Sequence, residues 1–128
     1  MTGQGLFRVV LADDIEDWRV LLETEFTADG RFEVVSTATQ GAEAVESVRQ
    51  ACPDLAVLDL AMPVMDGLEA IAQIRVICPT TKLLALTAVG SGSGRRALEL
   101  GADAYLKKQP ENLRRLTQVA ADLCHEAV

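Results

Sequence analysis

The sequence predicts an α/β fold, a doubly wound parallel sheet of five strands with five helices on both faces. Two observations carry that reading. Short β-rich runs alternate five times with stretches of helical period, the pattern of strand, crossover and parallel strand. Three of the runs are nearly continuous apolar segments, as strands buried on both faces must be.

The first strand is Phe7 to Ala12. Ile15, Trp18, Leu22 and Phe26 then recur at spacings of three or four, which places them on one face of a helix to about Ala28, ended by Asp29-Gly30. Phe32 to Thr37 is the second strand. Thr39 is the expected cap of a second helix through Ala51, and Cys52-Pro53 stops it because proline disfavours helical geometry in the residue before it. The third strand, Leu55 to Leu60, leads to a helix after Gly67 that carries Leu68, Ile71 and Ile74 and ends before Cys78-Pro79. Lys82 to Thr87 is the fourth strand. The segment Gly90-Ser91-Gly92-Ser93-Gly94 is too flexible to nucleate a helix, so a short fourth helix is expected from Arg95 to Leu100. Ala104 to Leu106 is the fifth strand. Pro110 suits the first turn of the last helix, whose apolar stripe is Leu113, Leu116, Ala120, Leu123 and Cys124.

The 128 residues have the length of one ordinary domain, and a single unit spanning 1–128 with its core over about residues 7–125 is the expectation. Apolar residues at 49% and charged residues at 24% suit a soluble globular chain. A net charge of -7 opposes direct binding to nucleic acid or to an anionic membrane. No apolar run approaches the roughly 18 residues of a membrane span, and Met1 to Gly5 lacks the build of a secretion signal, so a cytoplasmic location is expected. Cys52, Cys78 and Cys124 are spaced unlike a zinc knuckle or a disulfide framework and read as buried or semi-buried thiols. His125 is the only histidine and reads as a solvated tail residue, which excludes histidine triads.

In a doubly wound sheet the ligand site lies outside the carboxyl ends of the strands. Here those ends carry Asp13-Asp14, Asp59, Thr87 and Lys107-Lys108. Two unit charges about 4 Å apart cost on the order of 4 kcal/mol at an effective dielectric of about 20, so three carboxylates at one edge call for a cation. The small carboxylate count favours Mg²⁺ over a Ca²⁺ cage. A lysine and a hydroxyl beside them can hold the oxygens of a transferring phosphoryl group, with a carboxylate as nucleophile. Taken singly, each acid is better explained as a cap or turn former, Thr87 as a strand end and the lysine as a solvated charge. Caps need not select four strand ends together, and an acid closing Leu55-Ala56-Val57-Leu58 gains little structurally.

From Arg8 to about Ala121 the sequence resembles the receiver domain of two-component response regulators, the flavodoxin-like group that includes the chemotaxis regulators. The motifs are Val9-Val10-Leu11-Ala12-Asp13-Asp14, the stretch Pro53 to Gly67 around Asp59, Thr87-Ala88, and Gly101 to Lys108. The resemblance implies the strand order 2-1-3-4-5 and an acyl phosphate on Asp59, formed from a histidine kinase or phosphotransfer protein. It implies Mg²⁺ held directly by Asp14, Asp59 and the backbone carbonyl of Ala61, with Asp13 acting largely through water. Thr87 would bond a phosphoryl oxygen, and Lys108, three residues after Tyr105, fits the family lysine better than Lys107. Tyr105 would report the state by rotating inward; its bland alternative is an ordinary aromatic beside a sheet edge. The loop after Thr87 and the face made by helix four, strand five and helix five would then switch, a surface that could also serve a homodimer.

The chain departs from the family in three places. Gln109 follows Lys108 where proline is frequent, and Ala61 and Val89 are apolar where other members often carry polar groups, from which a slowly hydrolysing acyl phosphate is expected. An aspartate-nucleophile phosphatase would need a second acid at Ala61, and an FMN protein would need a less acidic rim. A docking module that works without phosphorylation is the third alternative.

Overall fold

In a computed structural model, which describes residues 5–88 and 90–126, the elements alternate as expected. They are β1 (Phe7–Ala12), α1 (Glu16–Asp29), β2 (Phe32–Ala38), α2 (Gly41–Ala51), β3 (Leu55–Asp59), α3 (Gly67–Ile77), β4 (Lys82–Thr87), α4 (Ser93–Leu100), β5 (Ala104–Lys107) and α5 (Leu113–Glu126). The strands form one sheet in the order β2-β1-β3-β4-β5, and every pairing is parallel.

Alternation along the strands divides the core into two layers. Val10, Ala12, Ala56, Leu58, Leu83 and Ala85 face α2, α3 and α4, where they meet Val48, Ile71 and Ala97. Val9, Leu11, Val57, Leu84 and Leu86 face α1 and α5, against Leu22, Phe26 and Leu116. Each fully buried side chain of this size contributes about 1.5–3 kcal/mol, so β1, β3 and β4 form a stiff frame whose carboxyl ends are fixed in place.

Local hydrogen bonds shift several boundaries from those expected. Ile15 is not part of the apolar face of α1. Asp13 Oδ1 accepts from its N–H at 2.9 Å, an Asx-type turn that holds it extended as the N-cap residue with its side chain exposed. Thr39 is not the cap of α2; Gln40 is, its side chain accepting from the Ala42 N–H at 2.6 Å. β2 runs on to Ala38, whose carbonyl accepts from the Asp13 N–H at 3.0 Å, while β3 stops at Asp59. Only Ser93 and Gly94 of the Gly/Ser segment join α4, two residues ahead of the expected start, because Gly94 is buried beneath the Tyr105 ring and packing there overrides propensity; Gly90 to Gly92 precede the helix. Pro110 opens a 3-10 turn, Pro110–Asn112, and α5 begins after it.

Cys52 is exposed rather than semi-buried, in a left-handed conformation (φ 44°) at the end of α2. His125 is exposed, as expected, but lies in the last turn of α5 and sets its ring edge-on to Phe7, with centroids 5.1 Å apart. Among the described residues no helix is long and apolar enough to cross a membrane.

Candidate functional site

Because the five strands run the same way, their carboxyl ends bring distant residues to one edge. Asp13 and Asp14 follow β1, Asp59 closes β3, Thr87 closes β4 and Lys108 follows β5. Asp13 is fully buried, Asp59 and Thr87 nearly so, and Asp14 is exposed. A carboxylate oxygen from each of Asp13, Asp14 and Asp59 falls within 4.8 Å of the others.

Lys108 bridges the two buried acids. Its Nζ stands 2.8 Å from Asp13 Oδ2 and donates to Asp59 Oδ2 at 3.1 Å. Its backbone N–H donates to the Thr87 carbonyl at 2.8 Å, which anchors it at the end of β4. Lys107 sits one step earlier on β5 and is exposed, outside this network. Asp59 Oδ1 accepts from the Ala61 N–H at 3.2 Å, fixing the other carboxylate oxygen.

Two backbone approaches hold the loop after β3. The Gly67 N–H donates to the Leu60 carbonyl at 3.1 Å, and a Cβ at Gly67 would meet the Asp59 carbonyl oxygen at 2.5 Å. Gly41 lies under Met65 in the same way, its N–H donating to the Met65 carbonyl at 2.9 Å.

Burial pushes the Asp59 carboxyl above its ordinary range. The Ala61 N–H and the Lys108 charge act the other way, but the nearby Asp13 charge adds to the rise. For Lys108 burial disfavours the ammonium, yet its bonds and charge interactions with Asp13 and Asp59 outweigh that and raise its pKa, so it stays cationic. One lysine does not complete the site. The approach to Asp13 Oδ2 is close but poorly directed, and that buried oxygen accepts no aligned hydrogen bond. An under-satisfied carboxylate oxygen, with all other donors here being oxygens, fits a hard divalent ion.

Tyr105 is half-exposed at the neighbouring end of β5, its ring packed where a Cβ of Gly94 would run into it. Ala61 is exposed. Val89, the other apolar departure, lies outside the described residues. One participant was missed from the sequence. Trp18, expected only as a helix-face apolar residue, stands against the lysine, its ring centroid 5.5 Å from Lys108 Nζ. The available signal was its place as the only tryptophan, four residues after the acidic pair.

The fold and the edge define an α/β protein of flavodoxin-like topology with an acidic, lysine-bridged site at the carboxyl ends of its strands. Residues 9–121 match the family described as the response regulator receiver domain, and the chain belongs to that family. It is 32% identical over 124 residues to protein-glutamate methylesterase/protein-glutamine glutaminase 1 of Methanospirillum hungatei, covering 94% of this chain and 36% of that protein. The chain thus spans about a third of the length of the methylesterase relatives it matches.

Among solved structures it is similar to the REC domain of AraT, a response regulator from Geobacillus stearothermophilus (TM-score 0.85, 30% identity, 95% of each chain). It is also similar to a chain of the CheX-CheY-BeF3-Mg complex from Borrelia burgdorferi (TM-score 0.84, 25% identity, 95% of this chain and 93% of that one).

Proposed function

We propose that the domain is a phosphorylation switch whose acceptor is Asp59. The observation that carries this reading is a nearly buried carboxylate held at 3.1 Å from a lysine ammonium, beside a second buried acid with an unsatisfied oxygen. An Asp59 oxygen attacks phosphorus of a phosphohistidine on a histidine kinase or phosphotransfer protein. The new P–O bond forms as the P–N bond breaks, and the imidazole leaves. Lys108 and the Thr87 hydroxyl take the peripheral phosphoryl oxygens, where charge accumulates in transfer. Asp13, Asp14, Asp59 and the Ala61 carbonyl would hold Mg²⁺, which when bound supplies charge neutralisation to the phosphoryl oxygens and the acids.

The domain acts on itself and turns over no outside substrate, since Ala61 stands where a phosphatase of this chemistry needs its second acid. Once modified, Asp59 carries a phosphoryl group with close to two negative charges and three acceptor oxygens in place of the single charge of its carboxylate. Lys108 and Thr87 are drawn toward the phosphoryl group, and the segment after Thr87 with α4 follows. Tyr105 then turns inward over α4, and the α4-β5-α5 face becomes the output surface, open to a partner or a second copy of the domain.

Intact mass after acetyl phosphate treatment tests the reading. One phosphoryl group should be gained with Mg²⁺, and none after chelation or in Asp59→Asn. A gain that persists in Asp59→Asn would refute it.

A further inference from the structure

At the opposite end of the sheet, remote from the acidic edge, two cysteines distant in sequence meet. Cys52 is the C-terminal cap residue of α2 and Cys78 that of α3, and each is followed by a proline. Their sulfurs lie 3.6 Å apart. Cys52 is exposed and Cys78 buried, so one thiol meets solvent and the other waits behind it.

The backbone fixes both. The N–H of Cys52 donates to the Val48 carbonyl and that of Cys78 to the Ile74 carbonyl, each at 2.8 Å. Cys52 holds φ 44°, a left-handed conformation usually filled at a helix end by glycine or asparagine, so a branched-free but chiral side chain is kept there at some cost. Cys124, by contrast, is buried in the other core layer, with its thiol pushed up to about 12 by burial.

We propose that Cys52 and Cys78 form a redox modification site, closing reversibly to an intramolecular disulfide by exchange with a small-molecule disulfide such as oxidised glutathione. The Cys52 thiolate attacks one sulfur of the small disulfide, which releases one thiol and leaves a mixed disulfide on Cys52. Cys78 then loses its proton and attacks Cys52 Sγ, and the second small thiol departs with that proton. Two protein thiols are oxidised by two electrons and one small disulfide is reduced to two thiols.

Cys52 is assigned the first attack because it is the accessible sulfur. Burial and the neighbouring Cys52 raise the Cys78 thiol above its ordinary range, which suits a resolving role rather than an initiating one. The bridge would join the base of α2 to the base of α3, and the segment it closes contains β3 and Asp59. Cross-linking a segment of this kind restricts the unfolded chain and so stabilises the folded one.

The test titrates the intact protein with oxidised glutathione and reads mass, peptide map and melting temperature, with Cys124→Ser as control. The expected product is monomeric and two hydrogens lighter, joins the Cys52 and Cys78 peptides, melts higher and is reversed by dithiothreitol. Cys124→Ser should behave alike. Cys78→Ser should stop at a glutathione adduct on Cys52, and Cys52→Ser, a change at an exposed site that leaves the core intact, should lose both adduct and bridge. The proposal is overturned if wild type stops at the adduct, if Cys124 enters the bridge, if only intermolecular dimers form, or if no thiol is oxidised. Phosphoryl acceptance by Asp59 is read separately, so failure of either assignment leaves the other standing.

Discussion

Lys108 reaches Asp59 across the carboxyl edge of the sheet, its Nζ 3.1 Å from Oδ2, although the two residues are 49 positions apart in sequence. The same ammonium stands 2.8 Å from Asp13. One cation therefore serves two buried acids, an arrangement that leaves negative charge in excess.

That excess sets the first prediction. The folded-state pKa of Asp59 is raised above 3.8, so the native state binds its proton more tightly than the unfolded chain does. The associated stability is present at low pH and is lost as pH rises from 3.8 through the folded value, leaving a constant penalty above it. Asp59→Asn removes that penalty. Urea unfolding in a chelator should find the variant more stable than wild type at neutral pH, with the difference vanishing toward acid. A wild type that is the more stable protein at neutral pH would contradict the assignment of burial as the dominant cause.

Lys108 and Lys107 should separate cleanly. Lys108→Met leaves Asp13 and Asp59 facing each other without a cation, which should cost about 3 kcal/mol in the chelated protein and slow phosphoryl acceptance by about 100-fold. Lys107→Met changes an exposed side chain and should stay within about 0.5 kcal/mol of wild type, with phosphorylation unchanged. Equal effects in the two variants, read by urea melts and labelling rates, would show that the wrong lysine has been chosen.

Trp18 should act as a built-in reporter. Its ring lies 5.5 Å from the Lys108 ammonium and no other tryptophan is present, so any movement of that charge alters its emission. Addition of Mg²⁺ and then of acetyl phosphate should change fluorescence in two steps, and Lys108→Met should abolish the second. An emission spectrum indifferent to both additions would mean that Lys108 does not move.

Gly67 gives a steric prediction. An added Cβ meets backbone on both sides, the Asp59 carbonyl oxygen at 2.5 Å and Leu60 Cα at 2.6 Å, so the loop rather than a side chain must yield. Gly67→Ala should destabilise by about 1–3 kcal/mol and slow labelling of Asp59, whereas Gly30→Ala, where nothing lies within 4 Å and only the positive φ resists, should affect stability alone. Labelling at the wild-type rate in Gly67→Ala would separate this loop from the site.

Exposed Ala61 offers no polar group to orient a water on the acyl phosphate. The phosphorylated domain should therefore persist for much longer than seconds with Mg²⁺ present, and Ala61→Asn should shorten its lifetime. Decay within seconds in wild type would contradict this.

The parts of the fold legible in the sequence are those set by burial. β1 and β4 fall where their nearly continuous apolar runs place them, and the topology then carries Asp13, Asp59, Thr87 and Lys108 to one edge without further information. What escaped is set by contacts remote in sequence or by single hydrogen bonds. Ile15 fits the helical period but is held outside α1 by the Asp13 side chain. The start of α4 is decided by Tyr105 covering Gly94, and the approach of Cys52 to Cys78 by the packing of two helix ends 26 residues apart. Helical periodicity put Trp18 on the correct face of α1 but could not show that the face reaches Lys108.

The central claim is best tested by locating the phosphoryl group chemically. After treatment with acetyl phosphate and Mg²⁺, borohydride reduction of the acyl phosphate followed by peptide sequencing should find one converted residue, Asp59. Conversion at Asp13 or Asp14 instead, or at no aspartate, would contradict the assignment of Asp59 as acceptor.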